Sequence, residues 1–428
     1  MTGIPSASLS LSARWQTGFY RAAASLLSAH CLAAPEVESI YIRRSVAAGE
    51  AQFPWSDVDL GIVLSPFANE EDEGRALERL WGRFRMTRLL FPRLGEAEVH
   101  VGASLAESAI DDPYRASIDR RAAVLTHGSV PDWATVPITP RDAIRRLIFW
   151  FDGYLPRSLG ARNHRNARKF AIEIWNAWLA ASGGIQEPFL RRQDAEDHWR
   201  HGADASLLAQ AESGPEGAFR ACLAVTTRAH SLLRSPLPRL AEPLSAEIRF
   251  LPGAARRTIH LLPTPASPLP GGGPRPTDLI VTPEALALFL GTQNPFLWHS
   301  LPARMQDLLE CPPSREDWLL ACRRLASGQR LRVAGFVEHG SGSHLRRLEF
   351  VRHALSALER GETPSSGGIP KAASGPPARE PSIAAYYREQ YPSLLREAAS
   401  LRLRAQLCLA PPASRSADGN GENVRGGI

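Results

Sequence analysis

Lysine is nearly missing from this chain. Of its 50 basic residues only Lys169 and Lys371 are lysine, and the rest are arginine. Heavy use of arginine, alanine and proline fits a GC-rich, bacterial genome. No stripe of basic residues interleaved with aromatics is present, so the basic excess is a poor argument for nucleic-acid binding. The net charge of +6 is mild and suits anionic ligands such as nucleotides. Cysteine is scarce and scattered: Cys31, Cys222, Cys311, Cys322 and Cys408. Cys311 and Cys322 are too far apart for a zinc knuckle, and no histidine stands at ligand spacing. Reduced cytosolic thiols are expected. No apolar run reaches the length of a membrane span, so no membrane partner is expected. Met1 to Ser12 lacks a basic stretch followed by an apolar one, so no signal peptide is expected and the location reads as cytoplasmic. With 428 residues, 44% hydrophobic and 22% charged, the chain has room for two or three domains.

Hydrophobic periodicity gives the organisation. A helix is expected over 11–31, a strand over Val37–Ile42, a loop over Arg43–Trp55 and a buried strand from Val58 to Leu64. A helix over 70–87, a strand over Glu96–Val101 and a strand over Arg120–Thr126 follow. Residues 1–135 thus read as a small α/β domain with a mixed sheet. Residues 136–240 carry helical periodicity and read as a helical domain. Residues 241–360 return to strand pattern over 246–262, then a loop over Pro263–Pro276, then helices near 282–290 and 314–326. Residues 361–381 are rich in Gly, Pro and Ser and read as a flexible linker. One amphipathic helix is expected over 382–410, then a disordered tail over 411–428. The class expected is α+β.

The chemistry concentrates at Ser56-Asp57-Val58-Asp59-Leu60. Strand side chains alternate, so Asp57 and Asp59 point the same way. Two adjacent carboxylates repel each other and lose solvation when buried, and a divalent cation offsets both costs. Paired carboxylates on a rigid strand suit Mg²⁺ that also holds phosphate. A solvent-facing pair at a strand end is the plainer alternative.

Upstream, Ser45 follows the first strand, and Gly49-Glu50 comes four residues later. Ser45, Gly49, Ser56, Asp57 and Asp59 together resemble the signature of the nucleotidyltransferase superfamily (the polymerase-beta-like fold), in which a Gly-Ser turn wraps a nucleotide triphosphate ahead of Asp-x-Asp. One departure stands out: Arg44 occupies the place of the glycine before the serine. An arginine there could pair with phosphate or could block the site. The resemblance implies a third carboxylate on a neighbouring strand. Glu96 and Glu98 are the candidates, on one face with His100, while Ala97, Val99 and Val101 take the other. Ala97-Glu98-Val99 is similar to the strand of the streptomycin/spectinomycin adenylyltransferases that carries the base, which favours Glu98 as metal ligand or general base. His100 reads as a strand-face residue rather than a ligand.

Further on, Arg165 to Trp178 looks like the helix after the catalytic domain in antibiotic-type nucleotidyltransferases, whose basic residues can face nucleotide phosphates. Arg165, Arg168 and Lys169 share a face, which could equally be an ordinary solvated one. The pair Arg157 and His164 only faintly resembles the ribonuclease motif of helical toxins. The resemblance as a whole implies a Mg²⁺-dependent transferase moving a nucleoside monophosphate, AMP from ATP by default, to a hydroxyl acceptor with loss of pyrophosphate. A small-molecule acceptor is favoured over RNA or protein. The alternative is a catalytically degenerate relative that binds a nucleotide or a protein partner.

Overall fold

The protein's structure, a computed structural model, describes residues 11–51, 56–92, 94–249, 256–269, 278–334, 341–364 and 382–410. Most of the expected linker and all of the tail from 411 lie outside the described residues, as do Phe53-Pro54-Trp55.

Helix α1 (Leu11–Leu27) leads into strand β1 (Val37–Arg43), a one-turn helix α2 (Arg44–Ala47) and strand β2 (Val58–Leu64). Helix α3 (Glu70–Leu90), strand β3 (Leu94–Val101), helices α4 (Ser104–Asp111) and α5 (Pro113–Ala122) and strand β4 (Val124–Gly128) follow. The loop expected over Arg43–Trp55 therefore opens with a helical turn. Asn69 caps α3 by accepting the Asp72 amide, and Glu70 to Glu73 place four carboxylates at the positive end of its dipole. The strand expected over Arg120–Thr126 is divided. Asp112 caps α5, Pro113 fits its first turn, and the helix runs to Ala122 before β4 begins at Val124.

These strands form one sheet in the order β3-β2-β1-β4. β1 is antiparallel to β2 and β4, and β2 is parallel to β3. The chain is thus a mixed α+β protein, as its patterning leads one to expect.

Helices α6 (Pro140–Gly153), α7 (Leu155–Gly160), α8 (His164–Ala181), α9 (Arg192–His201), α10 (Ala205–Glu212) and α11 (Pro215–Ala229) make the helical region. Thr139 and Asp142 close a capping box at the start of α6. Strands β5 (Leu244–Arg249), β6 (Arg256–Leu261) and β7 (Leu279–Val281) form a second sheet. Then come α12 (Pro283–Thr292), α13 (Ala303–Leu309), α14 (Arg315–Ala334), α15 (Ser341–Glu359), α16 (Ile383–Ala385) and α17 (Tyr391–Leu409). The single helix expected over 382–410 is interrupted by a π-helical turn at Tyr386–Gln390, just before Pro392, which has no amide hydrogen to donate.

Two large cores and a small third cluster of Tyr41, Val63 and Leu105 hold the described elements together. Ile40, Ile42, Leu60, Ile62, Ala97 and Val99 bury one face of the first sheet against Leu77, Leu80 and Phe84 of α3. The same core takes in Trp318 and Leu319 of α14, Val351 of α15 and Leu394 of α17. The Tyr391 hydroxyl donates to Glu73 at 2.6 Å, tying α17 to α3. The second core joins Ile144 and Leu147 of α6 and Ile174 of α8 to Ile259 of β6 and Leu286 of α12. Residues 241–360 are therefore shared out: their strands pack with the helical region, while α14 and α15 pack with the first sheet. Among the described residues no helix is long and apolar enough to cross a membrane.

Candidate functional site

The far face of the first sheet carries a small apolar cluster of Tyr41, Val63 and Leu105 and, beside it, a group of charged side chains. Arg43 lies opposite Asp59 in the β1–β2 register, so the turn after β1 meets the start of β2. Arg44 opens that turn with φ at 55°, a left-handed conformation that glycine adopts freely and arginine does not. Strain of this kind costs on the order of 1–3 kcal/mol. Helix α1 holds the turn from outside. Arg21 donates to the carbonyls of Ala47 at 2.7 Å and Val46 at 3.4 Å, and Thr17 donates to the carbonyl of Gly49 at 3.3 Å. Gly49 itself has φ at 79°, as the end of so tight a turn requires. Ser45 is half-buried inside the turn, and its carbonyl accepts from the Glu50 amide at 2.8 Å.

The two aspartates stand side by side. A Cβ placed on Gly95 of β3 would lie 2.9 Å from both the Asp57 Cβ and the Asp59 Oδ1. Only glycine lets β3 pass this closely. Asp57 is exposed, Ser56 before it is half-buried, and the Asp59 side chain is 13% exposed. Burial pushes the Asp59 carboxyl above its usual range; Glu96 adds to the shift, and Arg44 opposes it without cancelling it. Asp59 is thus a carboxylate short of positive charge.

Glu96, not Glu98, is its immediate acidic neighbour. The Glu96 amide lies 3.4 Å from Asp59 Oδ1, and the Arg44 guanidinium reaches Glu96 Oε1 at 2.6 Å and Asp59 Oδ2 at 3.7 Å. Arg44 therefore spans the two acids. Glu98, which the resemblance to the adenylyltransferase strand favoured as third ligand or base, lies one pleat deeper. Both Arg43 and Arg115 pair with it, and His100 Nε2 is 3.3 Å away. Arg43 is fully buried and also donates to Asp119 at 2.6 Å and 3.2 Å. Two guanidiniums therefore already occupy this one carboxylate.

Lys169 of α8 is brought to this place from the helical region. Burial lowers its pKa, and both Asp59 and Arg44 are close enough to act on it. Arg168 turns away toward Glu196 and Glu212, a quarter-turn round the helix from Lys169. Sequence reasoning missed a further link. Arg192, at the start of α9, donates its backbone amide to Glu50 and pairs with it at 3.0 Å, fixing the turn after Gly49 to the helical region. The partners are 142 residues apart, and no local pattern connects them.

Among the described residues no three Asp, Glu, His or Cys side chains converge as ready metal ligands. The Asp57–Asp59 pair still fits Mg²⁺, which is commonly held by one or two carboxylates with phosphate and water completing the shell. Comparison with family models, curated proteins and solved structures finds no match for the chain.

The deeper cluster sets an acid limit on stability. Burial raises the Asp119 pKa, but Arg43 and Arg115 outweigh it and hold the carboxyl below the usual range. A carboxyl depressed in the folded state stabilises it fully above the unfolded pKa, about 3.9, and loses that contribution as pH falls through the lower folded value. Melting temperature is expected to drop steeply below about pH 4. Asp119→Asn should flatten that slope in a pH series of thermal melts, and an unchanged slope would contradict this role.

Proposed function

We propose that the chain is a Mg²⁺-dependent nucleotidyltransferase that moves a nucleoside monophosphate, AMP from ATP, onto a hydroxyl of a small molecule and releases pyrophosphate. The observation that carries this reading is the Asp57–Asp59 pair beside Gly95, facing the left-handed turn at Arg44-Ser45. Asp57 and Asp59 would hold the metal, which when bound supplies positive charge for the triphosphate. Ser45 and the amides of the turn donate to phosphate oxygens. Lys169 adds a partly desolvated positive charge from the other side. The acceptor oxygen forms a bond to the α-phosphorus, the bond from that phosphorus to the bridging oxygen breaks, and pyrophosphate leaves with the electron pair. The acceptor proton passes to a carboxylate. Glu96 is the more accessible base, because it is half-exposed and paired with Arg44 alone, whereas Glu98 is buried against Arg43 and Arg115. The test is pyrophosphate release from each nucleoside triphosphate with Mg²⁺ and a panel of small hydroxyl compounds, followed by label transfer from the α-phosphate. Release that needs neither Mg²⁺ nor an acceptor would count against the reading.

One observation favours a second reading, a degenerate relative that binds nucleotide without transferring it. Arg44 already spends the charge of Asp59 and Glu96. Arg44→Gly separates the two. The Arg44 side chain is 47% exposed, so its ion pairs contribute no more than about 1 kcal/mol each. Arg44→Gly is expected to relieve backbone strain and to tighten Mn²⁺ binding roughly fivefold, read by calorimetry. A working enzyme should lose turnover in Arg44→Gly through lost phosphate contacts. A blocked site should gain pyrophosphate release that the parent chain lacks.

A further inference from the structure

Helix α1 is apolar on two opposite sides. Its inner side buries Tyr20 and Ala24 in the core of the first sheet. Its outer side sets Trp15, Phe19, Ala22 and Leu26 in one stripe at helical spacing. Trp15 is 65% exposed, Phe19 44% and Leu26 60%, and the Trp15 and Phe19 rings stack at 5.9 Å. A helix apolar on both sides ordinarily has something packed against each.

A second exposed group stands on α3, which packs into the same core over the same face of the sheet. Met86, Leu89 and Leu90 in its last turns are 62%, 74% and 75% exposed. Arg83 of α3 donates to the Ala33 carbonyl in the turn after α1, which ties the two helices together. Their outer sides therefore both point away from the sheet. At about 200 Å² for a large side chain, the six together present roughly 700 Å² of apolar surface. The largest apolar patch on an ordinary monomer is about 300–600 Å².

The charge around these residues has one sign. From Leu11 to Pro35 and from Arg79 to Gly95 the sequence holds seven arginines and no acid. The acids of α3 all lie in its first half, Glu70 to Glu78. Arg14, Arg85 and Arg88 are exposed and form no ion pair with a described residue. The Arg85 guanidinium rests 4.5 Å from the centre of the Trp81 ring, one turn from Leu89.

We infer that this face docks on an anionic lipid bilayer. The apolar and aromatic side chains enter the boundary between headgroups and acyl chains, and the arginines meet lipid phosphates. A second copy fits less well, because a twofold contact through this face sets the arginines against their own copies. Nucleic acid would answer the arginines but leave Leu26, Met86, Leu89 and Leu90 in water. No spanning helix is found among the described residues, and a helix that lies in the interface plane needs none. Thr17 and Arg21 of α1 also hold the turn at Arg44, so docking carries the candidate site to the membrane. The inference does not depend on the nucleotidyltransferase reading, and its test contains no nucleotide.

The full chain is sedimented with vesicles of phosphatidylcholine and phosphatidylglycerol in equal parts, or of phosphatidylcholine alone. Binding to the mixed vesicles is expected to be at least tenfold tighter and to weaken with salt. Trp15→Glu with Leu89→Glu should weaken it tenfold or more and leave the melting temperature at that of the parent, since both positions are exposed. Arg85→Gln with Arg88→Gln should weaken it roughly twentyfold, at about fivefold for each arginine near the surface. If the first pair fails to fold, the second decides alone. No binding to the mixed vesicles, or equal binding by every folded variant, would overturn the inference. So would a dimer in light scattering that Trp15→Glu splits, which would make this face a contact between copies. Binding of a labelled oligonucleotide that the arginine pair loses and the Trp15→Glu pair keeps, with no vesicle binding, would make it a nucleic-acid face instead.

Discussion

Asp59→Asn is expected to lower metal-dependent transfer by roughly a thousandfold, as several kcal/mol of charge stabilisation are lost at about 1.4 kcal/mol per factor of ten. The same change should leave stability unchanged or slightly higher. Burial pushes the Asp59 carboxyl up, so the fold already disfavours its charged form. Asparagine keeps the shape and keeps an oxygen for the Glu96 amide. The Arg44 contact that is lost is long and half-exposed, and it is worth little. Function and stability should therefore separate in one variant. The measurements are pyrophosphate release and a urea melt on the same preparation. A loss of stability matching the loss of activity would mean that Asp59 is structural and would remove the main support for the proposed chemistry.

The two aspartates were legible because strand alternation is local: Asp57-Val58-Asp59 needs only a period of two. Lys169 was singled out by the resemblance of its helix, and in the structure it is near enough to Asp59 and Arg44 to feel their charges. The choice between Glu96 and Glu98 was not legible. Both lie on one face of β3, and what separates them is Arg43, Arg115 and Asp119, contributed by β1 and α5. Nor could the left-handed backbone at Arg44 be read, because the residue type argues against it. The start of α5 did carry a local signal, Asp112-Pro113, which outweighed the strand-like run beyond it. The sharing of residues 241–360 between two cores is a matter of tertiary packing, and periodicity says which face is apolar but not what covers it.

The polar face of the sheet divides into halves with opposite electrostatic signs of purpose. Asp59 is held charged against its environment, whereas Asp119 is held charged by it. The second half should respond to substitution in the opposite way. Arg43→Met is expected to destabilise the fold by about 3 kcal/mol, the low end of the cost of breaking a buried ion pair. The low end applies because Arg115 remains: it pairs with Glu98 and lies 3.5 Å from Asp119, so neither carboxylate is left without a cation. Arg43→Met with Glu98→Gln should recover part of the loss, because the uncompensated charge is what costs most. Arg43 also ends β1 where it meets Asp59, so it fixes where the turn at Arg44 begins. Urea melts of both variants decide the matter, and a single variant as stable as the parent would show that this cluster does not hold the sheet together.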